Sequence, residues 1–201
     1  MGAEGVVGLL LAAGAGRRAG GPKALRRDPD GTSWLVRSTE VLVAGGCSSV
    51  VVVLGAAVDQ ARRLLGQEAS AGLSERLQVV EAADWSRGMG ASLRVGLAAA
   101  ADLTGVAVLV HLVDLPDVGA AVVRRVAAGA GPASLVRAAY DGRPGHPVLI
   151  GRDHLRPVVD EVTGDRGAQD YLDRHGVRLL DCGDLATGVD QDDDPDRRLR
   201  S

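Results

Sequence analysis

The sequence predicts an α/β fold in which a mostly parallel sheet, with a small antiparallel extension, is covered by helices on both faces. Three observations carry that prediction. Apolar stretches of strand length recur, as in the continuous run Val6 to Ala12 and in Val106 to Val113; segments with helical spacing fall between them; and a turn-rich stretch, Asp141 to Gly145, joins two late strands. Strands alternating with helices imply right-handed crossovers and put the ligand edge at the carboxyl ends of the strands. With 46% hydrophobic and 24% charged residues in 201 positions, the chain is expected to form a single domain, residues 1–201, around one core.

In chain order, Val6 to Ala12 is an uninterrupted apolar run, as expected of a strand buried on both faces, and a glycine-rich loop follows it. Ser33 to Ala44 has helical spacing and stops at Gly45-Gly46. Val50 to Leu54 reads as a second buried strand, Ala56 to Gly66 as a helix and Leu77 to Glu81 as a short third strand. Gly90 to Ala101 is a helix entered through glycine and serine, Val106 to Val113 a fourth strand, and Val118 to Ala128 a further helix. Beyond Gly131, Ala133 to Tyr140 and Pro147 to Ile150 form the antiparallel pair, linked by "DGRPG". Leu155 to Val162 and Gly167 to His175 are expected to be helical, Val177 to Asp181 to be a last strand, and the tail "VDQDDDPDRRLRS" to be polar.

Charge and cysteine usage exclude several classes of function. The formal net charge is -3, and the arginines are dispersed among acids, so no nucleic-acid surface is expected. The apolar runs are too short to span a bilayer and Gly2 to Gly5 has no basic segment, which predicts a cytoplasmic protein without a membrane partner. Cys47 and Cys182 lack metal-site spacing and are expected to be buried or inert thiols.

Four stretches have the residue types that chemistry requires. The loop after the first strand contains Gly14, Gly16, Gly20 and Gly21 together with Arg17, Arg18 and Lys23. Glycines let backbone N–H groups turn toward a phosphate, and the cations neutralise its charge. Lys23 is the only lysine among 23 basic residues, as expected where a compact ammonium is needed. The loop lacks the ending of a P-loop, and its third glycine, Gly20, falls one residue late for a dinucleotide fingerprint. In "VLVHLVDLPDV", Asp114 leaves a buried strand where a carboxylate can hold magnesium against phosphates, while Asp117 is placed to cap the next helix. A second carboxylate is needed, and the tail offers Asp190, Asp192, Asp193 and Asp194. In "DWSRGMGASLRVGL", the glycines about Met89 and the hydroxyl of Ser92 either face a nucleoside or cap a helix. His146, held between glycine and proline, either contacts a substrate or is structural, and Asp165 with Arg166 either serves the site or forms a surface pair.

Together these stretches resemble the MobA-like nucleotidyltransferases. "LLAAGAGRRAGGPKAL" is similar to the family pattern LAAGxSxRMGxPK, and "ADWSRGMGASLRVGL", "LVDLPDV", "GRPGHPV" and "GDRGAQ" match later blocks in order. The LAAG start and the GMxxSL block are most similar to the molybdenum cofactor cytidylyltransferase branch. The resemblance implies a Rossmann-like three-layer α/β/α fold of the glycosyltransferase-A type. It implies a magnesium-dependent transfer of CMP from CTP to a phosphorylated pterin-type acceptor, with release of pyrophosphate, and a molybdoenzyme maturation partner. By position, Leu11, Ala12, Ala13, Gly14 and Gly16 would hold the nucleotide, Arg18 and Lys23 would grip its triphosphate, and Ser92 would lie near the nucleoside. His146 and Asp165 would face the acceptor, and Asp114 would bind the metal. Gly16 replaces the usual serine, Ala19 the usual methionine, and Ala82 a frequent asparagine. The family tail DIDTP corresponds to "QDDDP": aligned on Pro195, Gln191 takes the first aspartate and Asp193 the third, which makes Asp193 the second metal ligand; a shifted alignment uses Asp190, and Asp192 lies between them. Three other readings remain: a guanylyltransferase of the same family, an NAD(P)-dependent oxidoreductase using the first loop as its dinucleotide site, and a catalytically silent nucleotide-binding relative. Leu54-Gly55, at the end of the second strand, offers no acidic ribose anchor for the oxidoreductase.

Overall fold

A computed structural model describes residues 5–16, 20–162 and 164–191. Its centre is a seven-stranded sheet in the order β3-β2-β1-β4-β6-β5-β7. The strands are β1 (Val6–Ala12), β2 (Cys47–Leu54), β3 (Leu77–Glu81), β4 (Ala107–Leu112), β5 (Leu135–Tyr140), β6 (Arg143–Gly151) and β7 (Arg178–Asp181). Only β6 runs against its neighbours. It lies inside the sheet, between β4 and β5, instead of adding to its edge.

The helices are α1 (Trp34–Ala44), α2 (Val58–Glu68), α3 (Ala71–Ser74), α4 (Met89–Ala101), α5 (Ala120–Ala127), α6 (Arg152–Glu161) and α7 (Gln169–Arg174). Alternation along each central strand sorts the core into two faces. Leu10, Val52, Leu109 and Leu149 pack toward α1 and α5. Leu9, Val51, Val53, Val110 and Ile150 pack toward α4, α6 and α7. Together the two packed faces make three layers. Among the described residues no helix is long and apolar enough to cross a membrane, and Cys47 and Cys182 are both free and buried.

Two sequence expectations need correction. Strand β6 begins at Arg143, not Pro147, so the hairpin link is only Asp141-Gly142, both with positive φ (49° and 76°). Pro144 is tolerated there because β4 pairs with β6 only from Val148 to Gly151, leaving the start of β6 with one neighbour, β5. Asp117 does not cap α5, whose N-cap is Gly119 without a side-chain bond. Its carboxylate instead accepts the Thr187 N–H and hydroxyl, both at 2.6 Å, and ties down the segment that leads to the tail.

Candidate active site

Strands β1 and β4 are adjacent and parallel, so the loops leaving their carboxyl ends meet. The first loop returns on itself: Gly21 N–H donates to Gly16 O at 3.2 Å. Gly16 has φ +55°, and a Cβ there would stand 2.0 Å from Gly21 O, so the turn requires glycine. Gly14 is different. A Cβ on it would meet nothing within 4 Å, because its open side is the cleft itself. Ala13 is braced from β2, since its carbonyl accepts Ala56 N–H at 2.9 Å and lies 2.8 Å from where a Gly55 Cβ would stand.

After the loop, Pro22 leads into a single 3-10 turn, Lys23–Leu25, pinned by the fully buried Ala24. That turn aims Lys23 at the end of β4, where Nζ donates to Asp114 Oδ2 at 2.5 Å. Both side chains are mostly covered, 18% and 10% exposed. The 190–191 segment reaches the same place, because Gln191 N–H donates to the Asp114 carbonyl at 3.0 Å.

These parts line a cleft of ≈ 450 Å³ bounded by residues 11–16, Lys23, Ser92 and Asp114. Ser92 is buried within the first turn of α4 and is not its cap, which is Gly88. The amino end of α4 faces this cleft, a favourable position for an anion. Gly88 has φ +116° and lies against Asp165, with Gly90 N–H donating to Gly164 O at 2.8 Å. The "GDRG" stretch is thereby held against the start of α4. Asp165 does not pair with Arg166, which bonds Asp170 one helical turn on. Asp165 instead lines both this cleft and an adjoining chamber that contains His146. Burial, then the charge of Arg137 and then that of His111, pushes the imidazole of His146 down to about 3, so it is neutral at physiological pH.

Of the predicted site residues, Leu11, Ala12, Ala13, Gly14, Gly16, Lys23, Ser92, Asp114 and Asp165 converge on one cleft. His146 lies next door. Arg17, Arg18, Asp192, Asp193 and Asp194 lie outside the described residues. Sequence reasoning did not single out Trp85, whose ring packs against Gly55 and walls the cleft, or Arg137. The signal for Arg137 was a single charge inside the apolar run of β5.

A comparison with known proteins adds the lineage. Residues 8–179 match the MobA-like NTP transferase domain. The chain belongs to that family. Nicotine blue oxidoreductase of Paenarthrobacter nicotinovorans is 41% identical over 198 residues, covering 93% of this chain and 92% of the relative. The crystal structure of Rv0371c from Mycobacterium tuberculosis H37Rv superposes with a TM-score of 0.76 at 32% identity over 100% of both chains. Rv0371c has also been solved in complex with manganese, with a TM-score of 0.71 at 31% identity over 99% of this chain and 100% of that one. A 4-diphosphocytidyl-2C-methyl-D-erythritol synthase from Anaerococcus prevotii has the same fold at 13% identity, with a TM-score of 0.71 over 98% of this chain and 97% of its own.

Proposed function

We propose that this MobA-like protein transfers CMP from CTP to a phosphorylated acceptor of the pterin type, with magnesium at Asp114. The observation that carries the reading is the meeting of Lys23 and Asp114 at the mouth of a glycine turn, one cation and one carboxylate where a polyphosphate would lie. The donors suit a hard cation. Among the described residues no three carboxylate, histidine or cysteine groups cluster, and magnesium is commonly held by one or two carboxylates with substrate phosphates completing its shell. Asp114 and an aspartate of residues 190–193 would supply those carboxylates; the role of Asp193 is part of the proposal. When bound, a divalent ion there would neutralise triphosphate charge.

In this scheme an acceptor phosphate oxygen attacks the α-phosphorus, the bond to the bridging β-phosphate oxygen breaks, and pyrophosphate departs. The acceptor phosphate is ionised at neutral pH, so no strong base is required. The chain positions and neutralises: backbone groups of residues 11–14 hold the base, the turn at Gly16 presents N–H groups, and Arg18 and Lys23 take the phosphates. His146 and Asp165 border the acceptor. A molybdoenzyme that receives the product is the partner this reading supplies. The test is pyrophosphate release from CTP, GTP, ATP and UTP with magnesium and a phosphorylated pterin. CTP should lead; GTP in the lead would make this a guanylyltransferase, and CTP binding without release would make it a silent relative.

The 41% identical relative named an oxidoreductase favours a second reading, in which the same cleft holds a nicotinamide dinucleotide. Against it, β2 ends at Leu54 and is followed by Gly55, without a carboxylate for the ribose. Consumption of NADPH by the purified protein with a conjugated dye, together with indifference to CTP and magnesium, would establish that reading in place of the first.

A further inference from the structure

Beside the nucleotide cleft a second chamber of ≈ 380 Å³ opens between the sheet and helices α4 and α7. It shares Leu11, Met89 and Asp165 with the first, so the two cavities adjoin. Its opposed walls are aliphatic, with Leu11, Val110 and Val148 on the sheet and Leu93 and Leu172 on the helices. Such a slot fits a flat ring, which gains contact on both faces.

One charge is set into the sheet wall. Arg137 stands opposite Val148 in the β5–β6 ladder, and opposed residues project to the same face. The guanidinium therefore occupies a row that is otherwise aliphatic. Its Nε donates to Gly145 O at 2.9 Å, and no carboxylate among the described residues is within ion-pair distance of it. Asp173 acts on it only as a more distant charge. A partly buried cation without a carboxylate is costly to keep, and an alkyl side chain would continue the row at that position. The neighbouring His146 is uncharged and offers no compensation.

We propose that this chamber binds a planar aromatic acid, with Arg137 gripping its anionic group. It rests on the reading above only in making this compound the co-substrate of the bound nucleotide. A guanidinium presents two parallel donors to a carboxylate, while the slot selects flatness. Any acceptor used here would then combine a conjugated ring with an acidic edge group separate from the reacting phosphate.

Binding of 2-naphthoate, neutral 2-naphthamide and non-planar cyclohexanecarboxylate, followed by calorimetry on the full chain, tests this. The naphthoate should bind at least about tenfold tighter than either comparison compound, and Arg137→Gln should weaken it about 10- to 100-fold without affecting the amide. Arg156→Ala, at an exposed position of α6, should change nothing. Equal affinity for acid and amide, or no saturable binding of naphthoate, overturns the proposal even if Arg137→Gln fails to fold. CTP with magnesium, titrated into the same preparations, separates the two claims. Its failure to bind wild type removes the nucleotide reading alone, while loss of naphthoate selectivity with CTP binding intact removes the chamber alone.

Discussion

Lys23 and Asp114 satisfy each other at 2.5 Å, and each is also the kind of group a metal-bound triphosphate would engage, the amine through phosphate oxygens and the carboxylate through the cation. In that exchange neither group loses its partner, which matters because both side chains are mostly covered, 18% and 10% exposed, and a covered charge without a partner is costly. Lys23→Ala and Asp114→Ala are each expected to slow nucleotidyl transfer by about 100-fold or more and, by depriving the remaining charge of this partner, to lower stability by up to about 3 kcal/mol. Steady-state kinetics beside a melting curve checks this, and a variant with near-full turnover would remove that residue from the chemistry. Lys23→Arg should not rescue, since a planar fork on a longer stem cannot take the place of a compact ammonium.

The first loop contains glycines that do different work. Gly16 holds the turn, and a methyl there would collide with Gly21 O. Gly14 leaves space. Gly16→Ala is therefore expected to lower stability by roughly 1–3 kcal/mol and to weaken nucleotide binding. Gly14→Ala should leave the unfolding curve in place and weaken nucleotide binding alone, because its new methyl group enters the cleft. Urea unfolding and CTP titration of both variants make the comparison, and equal stability losses would mean that Gly14 is also structural. The sequence could show that the loop needed glycine but not which glycine, because the distinction depends on Gly21 folding back five residues later. Ser92 and Asp117 were ambiguous for the same reason. Both are polar residues near a helix start, yet one is buried inside α4 and the other bonds Thr187, seventy positions away.

The central strands were legible because they are mostly buried on both faces, which leaves apolar runs along all of β1, over Val50 to Leu54 of β2 and over Ala107 to Val110 of β4. The pairing order was less so: β6 enters between β4 and β5, and no local pattern records a non-neighbour pairing. The second chamber, assembled from four strands and two helices, was invisible for that reason, and so was the setting of His111. That side chain is 1% exposed on the α1 face of β4, and its Nδ1 has no hydrogen-bond partner among the described residues. Burial, then the charge of Arg37, pushes it down to about 4. The unfolded chain takes up its proton near the ordinary 6.5 while the folded chain does not, so stability falls as pH drops from about 6.5 toward about 4. From pH 7 to pH 5 the loss from His111 should be roughly 2 kcal/mol. His146 should add to it in the same direction, by less than its full shift because it is partly exposed. Urea unfolding at both pH values tests this in wild type and in His111→Gln, which should lose less than wild type on acidification because one buried imidazole no longer charges on unfolding. An identical pH dependence in the two proteins would mean that His111 finds a proton-accepting partner in solution.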